Sequence, residues 1–68
     1  MSDHIYKTIE ITGSSGSDLE DAMRGAVAKA AETIRNLDWF ELTNVRGRIE
    51  GGEIAHFQVT MKIGFRLD

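Results

Sequence analysis

Trp39-Phe40-Glu41-Leu42-Thr43-Asn44-Val45-Arg46-Gly47-Arg48-Ile49-Glu50-Gly51-Gly52-Glu53-Ile54-Ala55-His56-Phe57-Gln58-Val59-Thr60-Met61-Lys62-Ile63-Gly64-Phe65-Arg66-Leu67 reads as two strands joined by a tight turn. From Phe57 to Leu67 the odd positions are apolar, while His56, Gln58, Thr60, Lys62, Gly64 and Arg66 hold the even ones. A period of two puts each set on its own face, so a strand over Glu53–Leu67 is half buried. Gly51-Gly52 is a two-residue hairpin signal, because the turns that match strand twist need positive φ at the centre. The partner strand then runs from about Trp39 to Glu50.

Setting Glu50 opposite Glu53 fixes the remaining pairs. Phe40 faces Ile63 and Leu42 faces Met61, apolar on apolar. On the other face Trp39 meets Gly64, Glu41 meets Lys62, Thr43 meets Thr60 and Val45 meets Gln58. Opposite charges and paired threonines across a ladder support this register. Trp39 therefore lies on the outer face, with only a glycine opposite it and nothing in the chain to cover the indole.

Working toward the N-terminus, Leu19, Ala22, Met23, Ala26, Val27, Ala30 and Ile34 recur at three- and four-residue spacing, one apolar stripe of a helix. The spacing predicts a helix over about Asp18–Arg35, with Asn36 near its end. Ser17-Asp18-Leu19-Glu20 matches a capping box, and the Gly13–Ser17 stretch before it reads as a turn. Residues His4–Thr12 alternate Ile5, Ile9 and Ile11 with Tyr6, Thr8, Glu10 and Thr12, a first strand. The order is β-α-β-β. The helix reverses the chain, so the first two strands run alike and the third runs opposite to them. An antiparallel sheet then needs the third strand in the middle. The expected class is α+β: one domain over residues 1–68, a three-stranded antiparallel sheet packed on one amphipathic helix.

A 68-residue chain buries only about 60% of its unfolded surface, so it needs a staple beyond its own core. It has no cysteine, which excludes disulfides and thiolate zinc sites. His4 and His56 lie far apart, with no metal-ligand spacing. Oligomerisation is the staple that remains. A net charge of -3 with mixed signs argues against nucleic acid as a partner. No apolar run is long enough to span a bilayer, and the N-terminus lacks a secretory pattern. The expected location is the cytoplasm.

An uncovered tryptophan marks an interface or a ligand platform. Trp39 is therefore either a subunit contact or a stacking surface for a flat aromatic ligand, and the space at Gly64 favours the second. Gln58 shares its face and is either a solvated polar residue or an amide that reads a donor–acceptor edge. The two are about six residues apart along the hairpin, roughly 20 Å at strand rise. They can share one ligand only from different subunits. Arg46, Arg48 and Arg66 are surface ion-pair partners or phosphate contacts, since a guanidinium grips phosphate with two bonds. No nucleophile–base arrangement is visible, so an enzyme is not expected.

Taken together, Tyr6-Lys7-Thr8-Ile9-Glu10-Ile11-Thr12-Gly13-Ser14-Ser15, Asn36-Leu37-Asp38-Trp39-Phe40-Glu41-Leu42, Val45-Arg46-Gly47 and His56–Leu67 resemble the dodecin family over essentially the whole chain. The resemblance implies a hollow homododecamer of cubic 23 symmetry that stores and buffers flavin and quenches its photochemistry. It implies that Trp39 stacks on the isoalloxazine ring and Gln58 bonds its polar edge. Asp38, Arg46 and Arg66 then line the ribityl and phosphate path, with Lys7 helping to neutralise it. An arginine at position 46 resembles the FMN-binding members, whereas acidic residues in this region go with riboflavin or lumichrome. Coenzyme A at other subunit junctions is implied for Tyr6, Lys29, Thr33, Ile34 and Arg35. The chain departs from the family at His4 and His56, where lysine and tyrosine are common. The alternatives are a homo-oligomeric interaction scaffold whose Trp39 serves subunit contacts, and a small enzyme or flavoenzyme accessory subunit.

Overall fold

The computed structural model describes residues 3–67. Its elements are β1 (Ile5–Ser15), α1 (Leu19–Ala31), β2 (Leu37–Glu50) and β3 (Glu53–Leu67). The sheet is antiparallel with β3 between β1 and β2, as the strand directions require. Gly51 and Gly52 turn the hairpin with φ of 59° and 81°, a conformation that costs glycine nothing.

The central strand supplies Val59, Met61 and Ile63, each at most 2% exposed, and they pack under Ala22, Ala26 and Ala30 of α1. Each large side chain so buried stabilises the fold by roughly 1.5–3 kcal/mol. The alanine stripe lets the helix come down close. A Cβ at Gly13 would stand 2.5 Å from the Ala22 carbonyl oxygen and 2.9 Å from the Ala26 Cβ. Gly13 is therefore part of the helix–sheet contact rather than a loop residue. Strand β1 continues past the expected end at Thr12 because Gly13 and Ser15 pair with Val59 and Phe57.

That extension also moves the helix cap. The expected Ser17–Glu20 box does not form. Asp18 is the N-cap, its carboxylate accepting from the Asp21 amide at 2.7 Å. A carboxylate there meets the positive end of the helix dipole. Glu20 instead pairs with Arg24, and the Ser17 amide donates to the Ser15 hydroxyl. Buried Ser15 in turn donates to Asp21 at 2.7 Å. The helix ends at Ala31, short of Arg35. Thr33 and Ile34 still donate to the Ala30 carbonyl, and Asn36 then takes a φ of 64°. Asparagine tolerates that left-handed backbone better than most residues. The bend brings the Asn36 carbonyl to the Arg66 amide at 3.1 Å.

Helix α1 lies over β1 and β3 and barely reaches β2. Phe40, Leu42, Val45 and Ile49 are consequently 43–73% exposed on the helix side of β2. The molecule is long, 55 × 21 × 14 Å, with a radius of gyration of 14.3 Å. A folded chain of this length is expected near 11 Å. Its accessible surface is 5100 Å², against about 4,300 Å² for a folded monomer of this mass. The excess of roughly 800 Å² is the size of one side of a standard protein interface.

Candidate ligand-binding site

The outer face of the sheet is built by register. Across its middle Glu10, Lys62 and Glu41 form a charge ladder over all three strands, and the Thr12 and Thr60 hydroxyls share a 3.0 Å hydrogen bond. At the end near the chain termini Trp39 pairs with Gly64. A Cβ on Gly64 would lie 2.1 Å from the indole Cε2 and 2.3 Å from Cζ2. The indole therefore rests on the bare glycine backbone, and Trp39 is 40% exposed.

Tyr6 packs against that ring. Tyr6, paired with Arg66, presents its ring edgewise to Trp39 at 6.4 Å and 61°, a favourable quadrupole geometry. The Tyr6 hydroxyl donates to the Asp38 carboxylate, which raises its pKa above the usual tyrosine value, partly opposed by the Arg66 charge. Asp38 reaches Tyr6 because it is an extra residue in its strand. Leu37 and Trp39 pair with the consecutive residues Phe65 and Gly64, so Asp38 has no partner in the ladder. Such a bulge re-aims a side chain. The Asp38, Trp39, Tyr6 and Arg66 side chains thus converge on one patch.

Gln58 and Arg46 form a second patch. Six residues of β3 separate Gln58 from Gly64, roughly 20 Å, so one chain does not bring the amide to the indole. Arg46 faces Gln58 directly, which the straight hairpin register did not foresee. The ladder slips at Thr43, where Leu42 and Asn44 pair with Met61 and Thr60. The Thr43 hydroxyl bonds the Thr60 carbonyl there at 3.2 Å. It slips back at Ala55. Between the two slips Val45 meets Val59 on the helix side, not Gln58, and Thr60 pairs with Asn44, not Thr43. Arg46 turns to the outer face, its guanidinium Nε bonding the Asn44 side chain at 3.2 Å. The sequence carried a sign of this: the apolar residues of β2 switch from even (Phe40, Leu42) to odd (Val45, Ile49).

The other expected contacts are scattered. Lys7 pairs with Phe65, which puts it on the helix side of the sheet, opposite Trp39 and Gln58. Lys29, Thr33 and Ile34 line a groove between α1 and the Ile9–Thr12 part of β1. Tyr6 lies on the other face of the sheet, and Arg35 does not line that groove. Among the described residues no cluster of three or more His, Asp or Glu side chains could hold a metal ion, and no helix is long and apolar enough to cross a membrane.

A three-stranded sheet with one helix on one side and a glycine-seated tryptophan on the other defines a small β-α-β-β subunit with a bare aromatic platform. The dodecin family model matches residues 5–68. The chain is 42% identical over 64 residues to a dodecin of Thermus thermophilus, covering 94% of this chain and 93% of that protein. It is similar to the solved dodecin of Streptomyces coelicolor, with 51% identity and a TM-score of 0.91 over 100% of this chain and 97% of that one. The dodecin structure from Streptomyces davaonensis gives 49% identity and a TM-score of 0.90, covering 98% of each chain. The chain belongs to the dodecin family.

Proposed function

We propose that the chain binds a flavin, FMN in preference to riboflavin, between subunits of a homododecamer with 23 symmetry. Its role there is to store and buffer the flavin and to quench its photochemistry without turning over a substrate. The observation that carries this is the Trp39 indole, lying flat on Gly64 with one face open. A glycine that only an indole fills, with a polar amide and an arginine paired elsewhere on the same face, suits a flat ring with a polar edge and an anionic tail. Gln58 offers both a donor and an acceptor to such an edge. Arg46 beside it supplies the phosphate contact. The separation of roughly 20 Å between the two patches requires that the indole and the amide on one ligand come from different chains. The uncovered apolar residues of β2 and the excess surface support that assembly. The bound flavin supplies a light-absorbing one-electron acceptor, and Trp39 is the donor in contact with it. The groove beside Lys29, Thr33 and Ile34 is the corresponding candidate for coenzyme A. The class points to the cytoplasm and to neither nucleic acid nor membrane as partner.

Light scattering on protein titrated with FMN tests this directly. A large closed oligomer that extinguishes flavin fluorescence is expected, and Trp39→Ala should lose most of the quenching. Phe40→Asp should lose the assembly and, with it, the flavin. Monomeric wild-type protein that leaves FMN fluorescence unchanged refutes the proposal.

A further inference from the structure

The chain contains one tryptophan and one tyrosine, 33 positions apart in sequence, and the fold sets them edge to face at 6.4 Å. The tyrosine hydroxyl is hydrogen-bonded to a carboxylate, Asp38, which the bulge turns toward it. Edge packing alone needs no hydroxyl; a phenylalanine would serve it equally. A phenol beside an indole with a base on its oxygen is instead an arrangement that moves an electron and a proton together.

We infer that Tyr6 is a repair donor for Trp39: after one-electron oxidation of the indole, Tyr6 returns the electron while its proton passes to Asp38. The step balances. The indole radical cation gains one electron and becomes neutral tryptophan. Tyr6 loses one electron and its hydroxyl proton and becomes a neutral tyrosyl radical. The Asp38 carboxylate takes the proton and becomes a carboxylic acid. The oxidant is any one-electron acceptor that reaches the half-exposed indole, an excited flavin in the function proposed above or an inorganic radical.

The surrounding charges favour the coupled step over its alternatives. A phenol that loses an electron but keeps its proton is a cation, and Arg66, paired with Tyr6, disfavours a second positive charge beside it. Asp38 removes that problem by accepting the proton from the hydroxyl beside it. The radical then sits on the phenol, one ring away from the indole face that is open to ligand.

The test uses flavin-free protein, so it stands apart from the flavin proposal, which the FMN titration decides separately. Azide radicals generated by pulse radiolysis oxidise tryptophan in preference to tyrosine near neutral pH. In the wild type, the broad indole-radical absorption should decay as the narrow tyrosyl band rises, at a rate independent of protein concentration and slower in heavy water. In Tyr6→Phe the indole radical should outlive the wild-type one by an order of magnitude or more, with no tyrosyl band. Asp38→Asn, which keeps the phenol but removes the base, should slow the transfer and change its isotope effect. Equal indole-radical lifetimes in wild type and Tyr6→Phe, or an Asp38→Asn variant indistinguishable from wild type, overturn the inference. Circular dichroism and the oligomer mass check that each variant is folded.

Discussion

Replacing Gly64 by alanine should separate ligand binding from stability. The added Cβ would lie 2.1 Å from the Trp39 Cε2 and 2.6 Å from Nε1, whereas carbon atoms in contact sit about 3.5–4.0 Å apart. The indole has to lift or swing by roughly 1.5 Å to restore that spacing. Because the ring is 40% exposed, it can do so without opening the core, at an off-rotamer cost of roughly 0.5–1.5 kcal/mol. Against that, alanine in an extended backbone restricts the unfolded chain and contributes about 0.4–1 kcal/mol toward folding. The two nearly cancel, so the melting temperature should move little. The stacking surface, however, is no longer flat on the sheet. Losing an aromatic platform costs about 1–3 kcal/mol of ligand stacking, or roughly five- to one-hundred-and-fifty-fold in Kd. The assay is an FMN fluorescence titration of wild type and Gly64→Ala at matched oligomer mass, read with the emission of the lone tryptophan. A variant with wild-type Kd and unchanged tryptophan emission refutes the claim that Gly64 seats the ring.

Met61→Ala removes a fully buried side chain from the central strand. It should destabilise the fold by about 2–5 kcal/mol, seen as a lower melting temperature at fixed protein concentration. Arg46→Ala should weaken FMN about tenfold, near 1.4 kcal/mol, and leave riboflavin affinity unchanged. Equal losses for both ligands in paired titrations would remove Arg46 from the phosphate. Tyr6 should titrate above the usual tyrosine value of 10.0 because its hydroxyl donates to Asp38 and the carboxylate charge opposes the phenolate. Folding therefore favours the protonated phenol. That contribution is complete below pH 10.0 and is lost as pH rises through the elevated folded-state pKa. A tyrosinate absorbance titration should show the raised midpoint, with Asp38→Asn moving it back down.

The hairpin and the outer position of Trp39 followed from sequence because alternation and a Gly-Gly turn are local signals. The helix was placed by its alanine stripe, yet its cap fell one residue late and its end four residues early. The capping choice depends on where β1 stops, and that is set by Gly13 meeting Ala22 across the fold. The β2–β3 register holds from Trp39 to Leu42 and again at Glu50, and fails only over Asn44–Arg48, because a bulge leaves no mark in a pairing scheme that assumes one residue opposite one. The even-to-odd switch of apolar residues was there to be used. The resemblance offers Tyr6 only as a coenzyme A contact, and the β2–β3 pairing by itself says nothing of its place beside the indole. The β1–β3 register, with Thr12 on Thr60 and Glu10 on Lys62, puts Thr8 on Gly64 and Tyr6 on Arg66, diagonally across from Gly64 and beside the indole.

By itself the sequence determined the element order, the central place of β3 and the uncovered tryptophan over glycine. Each of these follows from periodicity, composition or chain direction. The tertiary structure alone decided which polar groups reach which ring. Asp38 meets Tyr6, and Arg46 meets Gln58, through ladder slips whose cost and gain are set by packing on both faces of the sheet at once. A one-residue slip reverses the face of every side chain beyond it. The platform was legible because the two slips between the turn and Trp39, one in each strand, cancel, whereas its neighbours came into view only when all three strands were aligned.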